Sequence, residues 1–270
     1  MNVSRFSGKF FTTALLCLSL ATVGLAPLAR GQSQNATPTG TDRTQAADRS
    51  WHIDVAPYLW LPGVFGTVGA AGHDASVHVT AADVLSNFNF GVAGALETRY
   101  DRILIPVDFM WVKLSDNKGI PITDNVESVH VKLNEDLFTP KIGYRVMNRS
   151  RFKADILIGV RYWHLGTTLA LQPKQIRNGF YGAANWVDGV EGARFQAFMT
   201  PKVILTIAGD AGGGGANLDY QVLGLLGYKL KRITIQGGWR YLVIHKTPHE
   251  HVFADLALTG VFLGVVIPLK

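Results

Sequence analysis

The chain has 270 residues, 47% of them hydrophobic and 17% charged, with a formal net charge of +6. Beyond its first thirty residues no apolar run reaches the roughly 18 residues that a membrane-spanning helix needs, so a helical membrane protein is not expected. With one cysteine, it is neither a disulfide scaffold nor a thiolate metal protein.

The N-terminus places Arg5 and Lys9 before an apolar stretch over 10–25, then Pro27 and the small-residue pattern Ala29-Arg30-Gly31. This is the pattern of a signal peptide over 1–31, cleaved after Gly31. Thr12, Thr13, Ser19 and Pro27 interrupt the apolar run too often for an uncleaved anchor. Cys17 leaves with the leader, and Leu16 before it does not suit a lipoprotein cleavage site. Losing Arg5, Lys9 and Arg30 lowers the charge from +6 to about +3, which weighs against nucleic acid as a partner. Residues 32–50 are rich in Gln, Asn, Thr, Gly, Asp and Ala without apolar periodicity, and are expected to be a disordered periplasmic linker.

From Trp51 onward the chain alternates with period two between clusters of Gly, Pro, Asn and Asp. Ten strands are predicted, over 51–61, 90–100, 103–114, 129–146, 152–169, 190–198, 203–210, 218–230, 233–245 and 253–269. Their connections alternate: 101–102, 147–151, 199–202 and 231–232 are tight, whereas 62–89, 115–128, 170–189, 211–217 and 246–252 are long or glycine-rich. In the longest, 76–79 is read as extending the first hairpin and 81–86 as a short helical turn. Short turns at one end, longer loops at the other and an even strand count predict an all-β, antiparallel up-and-down transmembrane barrel over 51–270, with eight or twelve strands as alternatives to ten.

Alternation also assigns faces. On 152–163, Phe152, Ala154, Ile156, Ile158, Val160 and Tyr162 share one face; Lys153, Asp155, Arg161 and Trp163 share the other. Because a basic side chain facing lipid at mid-bilayer costs about 2–4 kcal/mol, the charged face is the lumen. The same phase places Glu97, Arg99, Asp108, Arg194, Asp210 and Arg240 inside, and Lys141 and Arg145 as well if the strand over 129–146 changes phase at a bulge between Asn134 and Phe138. These eleven charges, seven basic and four acidic, predict an anion preference if the lumen conducts. Ten strands enclose little more than a packed interior, while open pores need about 16, so a closed or very narrow lumen is expected. Tyr100, Tyr144, Phe152 and Tyr228 lie beside tight turns, and Trp111, Tyr162, Trp239 and Tyr241 lie a strand length away, forming two aromatic belts.

The chain resembles a large family of mostly uncharacterised bacterial outer-membrane β-barrel proteins, related in outline to small barrels of the OmpA and OmpW type. The resemblance runs from Trp51 to the end. It rests on Pro57-Tyr58-Leu59-Trp60 with Gly66, on Asp83-Val84-Leu85 leading to Glu97, and on the turn before Asp108. It also rests on Gly143-Tyr144-Arg145, Gly159-Val160-Arg161-Tyr162, Trp186-Val187-Asp188, Gly209-Asp210-Ala211-Gly212-Gly213 and Gly238-Trp239-Arg240-Tyr241. Gly189 stands where proline is expected, Val261 where Gly-Pro is usual, and Leu269-Lys270 where a terminal Phe is usual. The resemblance implies the outer membrane, contact with its lipids and lipopolysaccharide, and insertion by barrel-assembly machinery, whose recognition is expected here either to be weaker or to use Phe262 and the alternating Val261, Leu263, Val265, Ile267 and Leu269. It implies no established reaction.

A structural or narrow porin-like role for a monomer is therefore expected, with no enzyme activity, cofactor or metal. The alternatives are a lipid- or peptide-hydrolysing barrel and a surface adhesin or receptor acting through its outer loops. Ser115, Ser128, His130, His164, His245, His249 and His251 fall near the outer rim, but no Ser-His-Asp or Asp-His arrangement joins them. His245, His249, Glu250 and His251 carry metal-ligand chemistry in what reads as a solvated loop. The run Gly212–Gly215 lacks the Lys-Ser/Thr of a phosphate cradle and is expected to be a loop hinge.

Overall fold

A computed structural model describes residues 49–70, 73–86, 88–115, 128–172, 180–249 and 252–269. The leader and nearly all of the linker lie outside this set, as do residues 116–127, 173–179 and 250–251.

The elements are β1 (Trp51–Ala70), β2 (His73–Val79), α1 (Ala81–Ser86), β3 (Phe88–Tyr100), β4 (Ile103–Ser115), β5 (Ser128–Asn148), β6 (Phe152–Gln172), β7 (Phe180–Phe198), β8 (Val203–Gly214), β9 (Leu218–Lys229), β10 (Thr234–His249) and β11 (Val252–Pro268). Each strand pairs antiparallel with the next, and β1 pairs with β11 from Asp54↔Pro268 to Ala70↔Val252, which closes the sheet. Since β2 pairs only with β1, the wall is an up-and-down barrel of ten strands. Closure removes the exposed edges that an open sheet must protect.

β1 changes partners along its length, pairing with β3 over Trp51–Pro57 and with β2 over Val64–Ala70. The first hairpin thus stands beyond the wall, and α1 follows it. Helix α1 begins because Thr80 and Asp83 cap each other: the Asp83 backbone N–H donates to Thr80 Oγ1 at 3.2 Å, and the Thr80 N–H donates to Asp83 Oδ2 at 2.9 Å. Val84 is the residue that α1 buries.

At one end all connections are tight. Asp101 adopts φ 51°, a region that Asp tolerates better than most residues. Arg149 N–H donates to Phe152 O at 2.9 Å, Met199 N–H to Val203 O at 3.0 Å, and Leu230 N–H to Ile233 O at 2.8 Å.

Three expectations are corrected at the other end and in the wall. β5 holds one phase from Leu133 to Arg145, in unbroken register with β6, and its register shift falls between Arg145 and Met147. Lys141 and Arg145 face inward with Glu135 on the same parity, and Asp136 turns outward opposite Trp111. β7 begins at Phe180, so Trp186 and Asp188 belong to the wall rather than to a loop. Nor is Gly212–Gly215 a hinge: β8 runs to Gly214 and pairs Gly212 with Val190. A Cβ on Gly212 would collide with the Gly189 carbonyl, so glycine here lets β7 and β8 approach closely.

Candidate functional site

The barrel is inverted relative to a water-soluble protein. Outward residues on neighbouring strands are apolar and exposed, with Ile158 at 59% and Leu226 at 57%, whereas ionisable side chains gather inside. The aromatics Tyr100, Tyr144, Phe152 and Tyr228 are exposed beside the tight turns. Toward the loops, outward aromatics satisfy their polar edges locally: Trp111 Nε1 donates to Asn134 Oδ1 at 3.2 Å, Tyr162 OH to Asn185 Oδ1 at 3.3 Å, and Trp239 Nε1 to Thr259 Oγ1 at 2.8 Å. Tyr241 packs on Tyr220 with ring centroids 6.1 Å apart.

Contacts between non-adjacent strands define the interior, since they can only cross the lumen. Nearest the tight turns, Arg194 on β7 spans to Glu97 on β3, with Nη2 donating to Oε1 at 3.1 Å. It also donates to Asp155 at 2.7 Å, and Arg145 Nε donates to the other Asp155 oxygen at 2.7 Å. Lys153 lies over the Phe198 ring at 5.0 Å, and Arg99 Nη1 donates to the Asp101 carbonyl at 3.3 Å.

A second layer crosses mid-barrel. Arg240 on β10 donates to Asp108 on β4 at 2.9 Å, to Tyr58 OH at 3.1 Å and to Gln221 Oε1 at 3.1 Å. Tyr58 donates in turn to Asp108 at 2.8 Å. Asp210 accepts from Gln221 Nε2 and Arg161 Nη2, both at 2.6 Å, and is ion-paired with Lys141. Arg161 on β6 reaches Asp219 on β9, whose second oxygen accepts from Trp163 Nε1 at 2.8 Å; Arg161 Nε donates to Thr139 at 3.3 Å.

Above this layer the lumen becomes apolar. Trp163 and Trp186 stack at 5.7 Å, and Leu137, Leu242 and Met110 belong to the same buried apolar cluster. Asp188 binds the short connection between β8 and β9 down onto this plug, accepting from Ala216 N–H at 2.7 Å and from Trp186 Nε1 at 2.9 Å. Lys246 donates to the Gly215 carbonyl at 2.6 Å with its Nζ 5.2 Å from the Trp186 ring centre. A conducting pore would keep its lining wet, but the Arg161 and Asp219 side chains are 0% exposed, whereas Asp108 retains 24% and Glu97 21%. Side-chain exposure thus falls from Glu97 and Asp108 to none at Arg161 and Asp219.

The eleven charges expected in the lumen therefore fall into these layers, and the structure adds Asp54, Glu135, Asp188, Asp219 and Lys246. Among the described residues, the inward side chains that are at least half-buried number eight acidic and eight basic. The basic excess of the eleven expected charges is therefore not kept in this wider set. Parity could have found Asp219, two positions before Gln221 on the inward face. Asp188 was concealed by being assigned to a loop. Two buried polar atoms, Trp60 Nε1 and Glu135 Oε1, have no partner among the described residues.

One outward residue breaks the inversion. Glu191 is exposed on β7 beside Ile158 of β6 and Ala211 of β8, while Val190 and Gly192 flank it on the inward phase. Among the described residues it is the only ionisable side chain facing outward between the turn-side and loop-side aromatics. No group of three His, Cys, Asp or Glu side chains able to hold a metal occurs among the described residues. His245 pairs with Asp255 at 3.5 Å on the exposed outer face, His164 contacts Asn185, and Glu250 and His251 lie outside the described set.

The chain matches no protein family and no curated protein. Among solved structures it is similar to the outer membrane protease OmpT from Escherichia coli, with TM-score 0.47 and 9% identity over 85% of this chain and 100% of that one. It is also similar to the translocator domain of the autotransporter NalP from Neisseria meningitidis, with TM-score 0.40 and 12% identity over 80% and 88%. A major outer membrane protein from Thermus thermophilus gives TM-score 0.37 and 9% identity over 82% and 100%.

Proposed function

We propose that this chain is a bacterial outer-membrane barrel whose role is structural: a non-conducting, non-enzymatic wall element that presents its outer loops at the surface. The observation that carries this reading is the inversion, with apolar side chains outside and paired charges inside. In water such an outer face would drive aggregation; against lipid it is the favourable arrangement. A charged interior is tolerated because the ions of its two cross-lumen layers are paired, as Arg194 is with Glu97 and Asp155, Arg161 with Asp210 and Asp219, and Arg240 with Asp108, which offsets their desolvation.

The sealed interior favours a structural role over the narrow porin-like one. Passage of a solute would require Arg161 to leave both Asp210 and Asp219, and the Trp163–Trp186 stack to part. The location is tested by expressing the full chain in a Gram-negative host, fractionating the envelope and comparing gel mobility of boiled and unboiled samples. Recovery in the outer-membrane fraction with heat-modifiable mobility is expected. Recovery only from the soluble periplasm would overturn the reading.

A further inference from the structure

We infer that the turn-side half of the lumen is a binding well for a small organic cation bearing N–H donors, with Asp54 as its anchoring carboxylate. The well is a cavity of about 290 Å³ that reaches from Asp54 and Gln236, near the tight turns, to Asp108 and Arg240 in the mid-barrel layer. Beyond its Asp210 wall stand Arg161 and Asp219, whose side chains are fully buried. Its volume suits a small organic molecule.

Its chemical preference follows from which groups are already engaged. Glu97 is bound by Arg194, Asp108 by Arg240 and Tyr58, and Asp210 by Lys141, Arg161 and Gln221. Each of these carboxylates has a cation on it. The Asp54 side chain has none: it makes no hydrogen bond or ion pair with a described residue, it stands opposite Glu97 in the ladder, and the charges of His52, Arg99 and Arg194 act on it without direct contact. It is half-buried, inward-facing and on the wall of the cavity. Two amides line the same cavity and can supply acceptors beside it: Gln196, one N–H of which donates to Thr206 at 3.5 Å, and Gln236, which makes no side-chain hydrogen bond to a described residue. A carboxylate that carries no cation, on a wall shared with amides able to accept, suits an ammonium, since charge-assisted bonds are stronger than neutral ones. This inference concerns the lumen alone and holds whatever surrounds the barrel.

The test uses the full chain refolded in detergent micelles, titrated calorimetrically with benzylammonium, benzoate and benzyl alcohol, which share a shape and differ in charge. Saturable one-to-one binding of benzylammonium is expected, with benzyl alcohol and benzoate weaker by about tenfold or more. Asp54→Asn should lower benzylammonium affinity by about tenfold, and Gln236→Leu by a few-fold, while Glu191→Gln on the outer face leaves it unchanged. Gel mobility shows that each variant is folded, and Gln236→Leu carries the test if Asp54→Asn is not. Equal affinity for the three probes, preference for benzoate, no saturable binding, or an unaltered affinity in folded Asp54→Asn or Gln236→Leu would each overturn it.

Discussion

The two halves of the lumen are filled by different means. Toward the long loops, stacked tryptophans and leucines are packed as in a soluble core; among the described ions there, Asp188 is held by Trp186 and Ala216 and Lys246 by the Gly215 carbonyl, while Glu135 Oε1 has no partner. Toward the tight turns, arginines and carboxylates line a space that water enters, and Asp108 and Glu97 remain partly exposed. The plane of Arg161 and Asp219 divides them. Within one narrow barrel a stacked apolar cluster and a buried ion cluster thus lie beside an interior whose charged groups keep part of their exposure.

The largest effect is expected at that dividing plane. Arg161→Ala leaves Asp219 and Asp210 short of their shared cation in a place water does not reach, so stability should fall by about 3–5 kcal/mol, read as a lower urea midpoint of the barrel refolded in vesicles. If the loss is under about 1 kcal/mol, the plane is wetter than its burial indicates. Within the dry half, Asp188→Ala removes the acceptor for both the Ala216 N–H and Trp186 Nε1, and should cost about 2–3 kcal/mol in the same assay. Amide exchange at the β8–β9 connection should rise along with it.

Outside the wall the comparison is between Glu191 and its apolar neighbours. A carboxylate facing lipid near mid-bilayer is unfavourable, though less so than an arginine, so Glu191→Leu should raise stability in vesicles by about 1–2 kcal/mol. A loss of stability would mean that this face is wet or that Glu191 has a partner. The smallest effect belongs to the first hairpin: Thr80→Ala breaks the cap on α1 and should cost about 1 kcal/mol locally, seen as faster proteolysis near Ala81–Ser86 without a shift in the global midpoint.

The strand count and the inward parity were legible in the sequence because period two survives in most of the wall: Arg161, Arg194, Asp210 and Arg240 could be placed from their immediate neighbours alone. Glu135-Asp136 defeats that reasoning, since two adjacent ionisable residues cannot both face inward and alternation does not say which yields. The structure turns Asp136 out opposite Trp111, near the loop-side aromatics where a charge can meet water. The glycine run over 212–215 misled for another reason. Glycine permits both a hinge and a close strand approach, and only the neighbouring strand, with Gly189 against Gly212, distinguishes them. Which ions meet across the lumen was not legible at all, because pairs such as Arg240 and Asp108 depend on barrel closure and stagger rather than on local pattern.

Ion conductance of the purified full chain in a planar lipid bilayer tests the sealed lumen most directly. The predicted result is a silent membrane for the wild type, with openings appearing only when Arg161 and Trp163 are both replaced by alanine. Stable, reproducible openings of the wild-type protein would contradict the account.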